Sequence, residues 1–156
     1  MTDPALADFN DFLYLNIPTI RFMGLKLISC SKHTLIASAP AKPNLNDKQT
    51  IFGGSSSALM TVCAWSLIKY NLEQRGVYND VVIAEAKTRW LKAQTNDLHI
   101  TAHSEINWTN IITDLHDKQQ PKLSVQTQVT NKQNQLCTTM TATFVILVNK
   151  PATAEH

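Results

Sequence analysis

Apolar residues recur at helical spacing through the first half of the chain and at every other position through most of the second. Leu6, Phe9 and Leu13, with Phe12 slightly off the stripe, lie three and four apart, which predicts a short amphipathic helix over 5–16. Asp3 and Pro4 supply its cap and first turn, and Asn16-Ile17-Pro18 ends it. Residues 24–30 and 34–39 read as two strands, and the tight connection Ser31-Lys32-His33 makes them a hairpin. A polar loop with two prolines, 40–48, leads to the longest helical candidate, about 54–75. From Ala58 to Ile68 this segment is apolar on nearly every side, and a helix of that kind must be enclosed. Its last turns become polar, and Gly76 is a C-terminal stop.

Beyond Gly76 the period becomes two. Strands are expected over 81–91, 98–106, 123–130 and 140–148, with a turn at 131–135. Leu98, Ile100, Ala102, Ser104 and Ile106 share one face; His99, Thr101, His103 and Glu105 share the other. In 81–91, simple alternation puts Val82, Ala84, Ala86, Thr88 and Trp90 on one side, and Val81, Ile83, Glu85, Lys87, Arg89 and Leu91 on the other. A helical insert, Trp108 to Asp117, carries a Trp108, Ile111, Ile112, Leu115 stripe that suits docking onto the sheet or a flap over a bound ligand. Helix, hairpin, enclosed helix and then four strands describe an α+β chain in which an antiparallel sheet curls around a central helix. Strands and helices do not alternate, which disfavours a doubly wound parallel sheet. One domain is expected over 1–150, with a frayed tail at 151–156.

Composition narrows the function. The 156 residues are 44% hydrophobic and 17% charged, enough apolar content for a core without disulfide or metal support. The net charge of +2 is spread along the chain, so no basic cluster marks a nucleic-acid surface. No apolar run reaches membrane-spanning length, and the N-terminus lacks a basic start followed by an apolar run. A cytoplasmic protein with no nucleic-acid or membrane partner is the expectation. Cys30, Cys63 and Cys137 form no CxxC pair and are expected as reduced, mostly buried thiols. The five histidines show no HExxH spacing, so no metal and no cofactor are expected.

Two segments carry a family resemblance. Asn44-Leu-Asn46-Asp47-Lys48-Gln49-Thr50-Ile51-Phe52-Gly53-Gly54 resembles the Asn-containing, FGG-type junction of hotdog-fold acyl-CoA thioesterases. Thr88-Arg89-Trp90-Leu91-Lys92-Ala93 is similar to the strand segment that this family often writes as aromatic-Leu-basic-Pro. The likeness spans about 17–148 and is strongest to the thioesterase domain fused, in some proteins, behind an acetyltransferase. It implies the hotdog fold, hydrolysis of an acyl-CoA or acyl-ACP thioester, and a homodimer or a dimer of dimers with sites between subunits. Two departures stand out. Ala93 replaces the usual Pro, and the central helix lacks the carboxylate that many relatives carry near the position of Thr61; no Asp or Glu occurs from Ile51 to Leu72.

The residues themselves suggest how such a reaction would run. Gly53 and Gly54 open a helix, where unpaired N–H groups and the dipole favour a developing oxyanion; they equally permit a tight turn. By resemblance, Asn46 orients the water or the carbonyl. Asp47 is the one carboxylate of the junction and a candidate general base, although Asn and Asp are also turn formers. Ser55, Ser56, Ser57 and Thr61 are candidates to hold water or substrate, although Ser55 and Ser56 are equally plain helix N-terminal residues, and Phe52 and Met60 are candidates to line the acyl path. Lys87 and Arg89 are candidates for CoA phosphates, and Glu85 for a base supplied across a dimer; a solvated strand face is the competing reading. The missing helix carboxylate also leaves open a non-catalytic acyl-binding or oligomerising module.

Overall fold

The computed structural model describes residues 3–149; the tail expected to fray, 151–156, lies outside them. Helix α1 (Pro4–Asn16) starts as its sequence dictates. The Asp3 side chain accepts from Ala5 N–H at 3.0 Å, Pro4 takes the first turn, and Leu6, Phe9 and Leu13 are buried. A second short helix, α2 (Pro18–Met23), follows at once. The sequence pattern missed it and ran Gly24 into a strand. Gly24 instead closes α2 at φ 75°, and a Cβ there would stand 2.8 Å from Pro40 Cδ, so both the backbone conformation and the neighbour demand glycine.

Strands β1 (Lys26–Cys30) and β2 (Thr34–Ala39) form the expected hairpin. After a 3-10 turn at Lys42–Asn44 comes the long helix α3 (Gly53–Glu73), then β3 (Val81–Trp90), β4 (Leu98–His103), α4 (Trp108–His116), β5 (Lys122–Thr130) and β6 (Leu136–Ile146). The six strands make one antiparallel sheet in the order β1-β2-β4-β5-β6-β3. It curls around α3, which touches every strand. This is the hotdog fold. Leu35, Ala37, Ile100, Ala102, Val125, Val129, Phe144 and Ile146 point from the sheet into the core and meet Leu59, Met60, Cys63 and Leu67 of the helix.

Three details differ from the expected pattern. First, α3 is not enclosed on every side. Gly54, Ser57, Ala58, Thr61, Val62 and Trp65 recur at helical spacing, and this stripe stays open or half-buried. The stripe lies along the β6 and β3 side of the sheet: Thr61 Oγ1 is 3.8 Å from Met140 Sδ of β6, and Trp65 Nε1–H donates to Val81 O of β3 at 2.8 Å. Second, the polar last turns of α3 are buried. Lys69 Nζ donates to Tyr78 O (3.4 Å) and Asn79 O (2.9 Å), and Asn71 Nδ2 donates to Ser31 O (2.8 Å). These side chains peg two loops onto the helix end. Third, β6 begins at Leu136, four residues before the expected start, because the connecting turn is closed within Asn131–Gln135 by Asn131 N–H on Gln135 O at 3.1 Å.

Strand β3 also carries a bulge. Ile83 pairs with Phe144, but Glu85 pairs with the next residue, Thr143, so Ala84 is the extra residue. The bulge exchanges the expected sides of Val82 and Ile83. Ile83, Ala86, Thr88 and Trp90 lie on the helix side with Phe144, Ala142, Met140 and Thr138. Val82, Glu85, Lys87 and Arg89 lie on the outer side with Val145, Thr143, Thr141 and Thr139.

Two predictions follow from the packing. The Ser66 hydroxyl is fully buried and has no hydrogen-bond partner among the described residues, so Ser66→Ala should stabilise the protein by about 1 kcal/mol, read as a Tm rise of about 2–4 °C; a lower Tm would contradict this. The Tyr70 hydroxyl donates to Asp3 Oδ2 at 2.6 Å and holds that carboxylate below its ordinary value of 3.8. The stabilisation is therefore present above that value and is lost as pH falls through the lowered one. Asp3→Asn should lower the Tm at pH 7, and the gap to wild type should close in melts carried down to pH 2; a gap that stays constant would show the ion plays no part.

Candidate functional site

The start of α3 is open by construction. Its N-cap, Phe52, has extended backbone and offers no side-chain acceptor, so the first amides of the helix have no capping partner. The junction is fixed from behind: Phe52 N–H donates to Asn44 O at 2.8 Å, and Ile51 N–H donates to Gln94 O at 2.7 Å. Asn44 is 1% exposed, and its Nδ2 donates to Met23 O (2.9 Å) and Pro40 O (2.8 Å). It ties α2, the end of β2 and the helix start together. Sequence reasoning chose Asn46 over Asn44, and two asparagines two residues apart give no signal that separates them.

The glycines serve close approach. Trp90 Nε1–H donates to Gly53 O at 3.2 Å, and a Cβ on Gly53 would meet the same nitrogen at 3.0 Å. A Cβ on Gly54 would overlap the Phe52 ring, which is 56% exposed and free to swing. A cavity of about 390 Å³ opens beside Gly53, lined by Ile51, Ser56, Trp90, Lys92, Gln94 and Thr138 among others. Ser56 was an expected candidate; Trp90 and Thr138 were not, because no local pattern brings a helix start, the end of β3 and the start of the neighbouring β6 together.

The other candidates fall in different places. Ser55 and Met60 are buried in the core, so neither lines an accessible path; the accessible side of the helix is the Gly54–Ser57–Thr61–Trp65 stripe. Ser57 is half-buried on that stripe, and Thr61 donates to Ser57 O at 2.8 Å. Thr61 sits seven residues beyond Gly54, about 10 Å along the axis, so the two do not meet at one carbonyl within a chain. Asn46 shapes its own loop: its Oδ1 accepts from Lys48 N–H (2.9 Å) and Thr50 N–H (3.2 Å), and its Nδ2 donates to Thr50 Oγ1 (3.0 Å). Asp47 is exposed at the loop tip, 3.4 Å from Lys48 Nζ. Glu85, Lys87 and Arg89 lie on the outer side of the sheet, away from Gly53.

Helix α4 is no flap over this site. Its Trp108 Nε1–H donates to Lys32 O at 2.9 Å, and the Arg75 guanidinium lies 4.7 Å over the Trp108 ring. Arg75 follows the far end of the 21-residue α3, about 30 Å from Gly53 at 1.5 Å per residue. A wide, open hollow of about 800 Å³ there is lined by Lys32, His33, Arg75, Glu105 and Trp108 among others and has no access to the glycine pair.

Likeness to known proteins bears on this geometry. The sequence profile of the family described as "Putative thioesterase (yiiD_Cterm)" matches residues 6–148. The chain belongs to this family. Membership places it among hydrolases of thioesters. Solved structures share the fold: a "putative thioesterase" from Shewanella oneidensis at 24% identity and TM-score 0.84, covering 94% of this chain and 99% of that one. A thioesterase from Haemophilus influenzae follows at 15% and 0.75, covering 95% and 94%. Thioesterase superfamily member 2 from Mus musculus follows at 14% and 0.69, covering 93% and 98%. Among the described residues no helix is long and apolar enough to cross a membrane, and no cluster of three or more metal-ligating side chains occurs.

The cysteines take no part in this site as nucleophiles. Burial pushes the Cys30 thiol up to about 12, with the Asp3 charge adding to the rise, and burial alone pushes Cys63 higher still. Neither forms thiolate at neutral pH. In native protein a disulfide reagent should therefore label Cys63 only on the timescale of unfolding and the half-buried Cys30 slowly, and all three thiols at once in denaturant; rapid native labelling of Cys63 would refute the burial.

Proposed function

We propose that the chain hydrolyses an acyl thioester carried on coenzyme A or acyl carrier protein, in the cytoplasm and as a homodimer or a dimer of dimers. The observation that carries this reading is the uncapped start of α3 beside a cavity of about 390 Å³. The carbonyl oxygen accepts from the amides of Gly53 and Gly54, where the helix dipole favours the charge that builds as water adds to the carbonyl carbon. Collapse of that adduct breaks the C–S bond and releases the thiol and the free acid. We assign the proton from water to Asp47, the one carboxylate of the junction, carried on an exposed loop tip where a single ion pair to Lys48 holds it loosely. Phe52 swings away from Gly54 to admit the thioester.

Assembly has its own support. Strand β3 is a sheet edge ten residues long, and it exposes Val82, Ile83 and Trp90, with Leu91 next to them. An unpaired edge of this length pairs readily with another strand, and a second copy pairing there covers the open stripe of α3 and brings its own Thr61 toward the Gly54 region. The bulge at Ala84 turns Glu85 to the outer side of the sheet, so we keep Thr61 and drop Glu85 as a group shared across the dimer. Three free cysteines, Cys63 and Cys137 buried and Cys30 half-buried, suit a reducing compartment.

One observation favours a second reading, a non-catalytic acyl-binding module: no carboxylate lies between Ile51 and Leu72 or lines the cavity at Gly53. Thiol release from a panel of acyl-CoAs separates the two. We expect turnover, cut roughly a hundredfold by Asp47→Asn, the scale of a lost general base, and less by Thr61→Val. Both variants leave the loop bonds of Asn46 intact, whereas Asn46→Ala removes them and confounds folding with catalysis. Calorimetric binding without release of thiol would establish the binding module instead.

A further inference from the structure

Two hydroxyls at the cavity beside Gly53 have nothing to bond. Ser56, from the first turn of α3, is 3% exposed, and Thr138, from β6, is 4% exposed; both line the cavity. Neither hydroxyl makes a hydrogen bond among the described residues, and neither is sealed off from the cavity as the Ser66 hydroxyl is sealed in the core. The donor nitrogens of the other polar side chains there are engaged. The Gln94 amide donates to Asn96 O (3.2 Å) and Asp97 O (2.9 Å), Trp90 donates to Gly53 O (3.2 Å), and Lys92 Nζ donates to Gln135 Oε1 (2.7 Å). Ile51, Leu91 and Ala93 complete apolar walls around the pair.

We propose that this cavity receives a short acyl group that carries its own hydroxyl or keto oxygen, and that Ser56 and Thr138 are the residues that select it. The inference rests on the thioesterase reading and names the substrate class of that same site. Size sets the first limit. At about 30 Å³ per small group, the share of a water molecule in the liquid, the cavity holds on the order of ten non-hydrogen atoms. That admits a short acyl group and excludes the nucleotide end of a carrier, which must leave through the open side. Polarity sets the second limit. A plain alkyl group would seal two unpaired hydroxyls from water, which is unfavourable, while an acyl oxygen gives each a partner. Serine and threonine both donate and accept, so either a hydroxyl or a keto oxygen fits. The thioester carbonyl itself is held elsewhere, by the amides at the start of α3, which leaves both side-chain hydroxyls for the acyl substituent.

The test compares kcat/KM for butyryl-CoA, 3-hydroxybutyryl-CoA and octanoyl-CoA in wild type, Ser56→Ala and Thr138→Val. The wild type should favour 3-hydroxybutyryl over butyryl by roughly tenfold, the worth of one well-made hydrogen bond, and each variant should bring that ratio toward one. A preference for octanoyl-CoA, or a ratio that both variants leave unchanged, would overturn the proposal. A second readout needs no turnover and no variant: the Trp90 indole N–H resonance in wild type, titrated with 3-hydroxybutyrate and with butyrate. A saturable shift with the hydroxy acid at lower concentration than with butyrate supports the pocket. Equal or absent shifts refute it. If no thioester is hydrolysed, the thioesterase reading falls, and the titration alone decides whether the pocket selects the polar acid.

Discussion

The structure depends on the burial of one long helix whose surface is mostly apolar. Leu59, Met60, Cys63, Leu67 and Ile68 leave no wide polar face to turn toward water, so the sheet must curve until it reaches them from several directions. A strongly curled sheet of six strands cannot close on itself over a helix, and it stops with β3 as an open edge beside an open stripe of α3. The uncovered stripe begins at the helix start, so the same geometric shortfall that leaves the helix incompletely wrapped exposes its first amides. Fold and site are two consequences of one packing problem.

The polar end of α3 solves the complementary problem. A helix buried to its last turn has carbonyls and loops around it that water cannot reach. Lys69 satisfies the carbonyls of Tyr78 and Asn79, while Asn71 reaches Ser31 and positions Arg75, which in turn covers Trp108. These contacts anchor the hairpin turn, the entry to β3 and the start of α4 at one end of the helix. The opposite end is held from outside, by Asn44 and Gln94, and is left free of caps. One end of α3 is organised for rigidity and the other for access.

Most of the architecture was legible in the sequence because it rests on periodicity. Helix α1, strand β2 and the inward face of β4 follow directly from the spacing of apolar residues. The departures have local causes that spacing does not encode. Pro18 restarts a helix that Ile17 interrupts, and the bulge at Ala84 shifts the face of two valine and isoleucine side chains without changing composition. The site was legible in part. Gly53 and Gly54 stood out as residues without a side chain at a helix start. Ser56 was legible as a hydroxyl near the same helix start, but Trp90 and Thr138 were not, because they come from two strands that only the folded sheet brings beside it. Asn46 read as a site residue because asparagine suits both a turn and a ligand, and its hydrogen bonds here go to the turn.

The cap that α3 lacks sets a conflict between endurance and activity. An N-cap Ser, Thr, Asp or Asn is typically worth about 1 kcal/mol over a residue with no acceptor, and Phe52 forgoes it. Selection for thermal tolerance alone would favour a polar residue at that position. Its side chain would then occupy the amides to which we assign the oxyanion, acting as a built-in competitive inhibitor. Stabilised variants isolated without an activity screen should therefore be expected to gather at Phe52 and to lose function there, the usual direction in which a stability gain at a working site is offset.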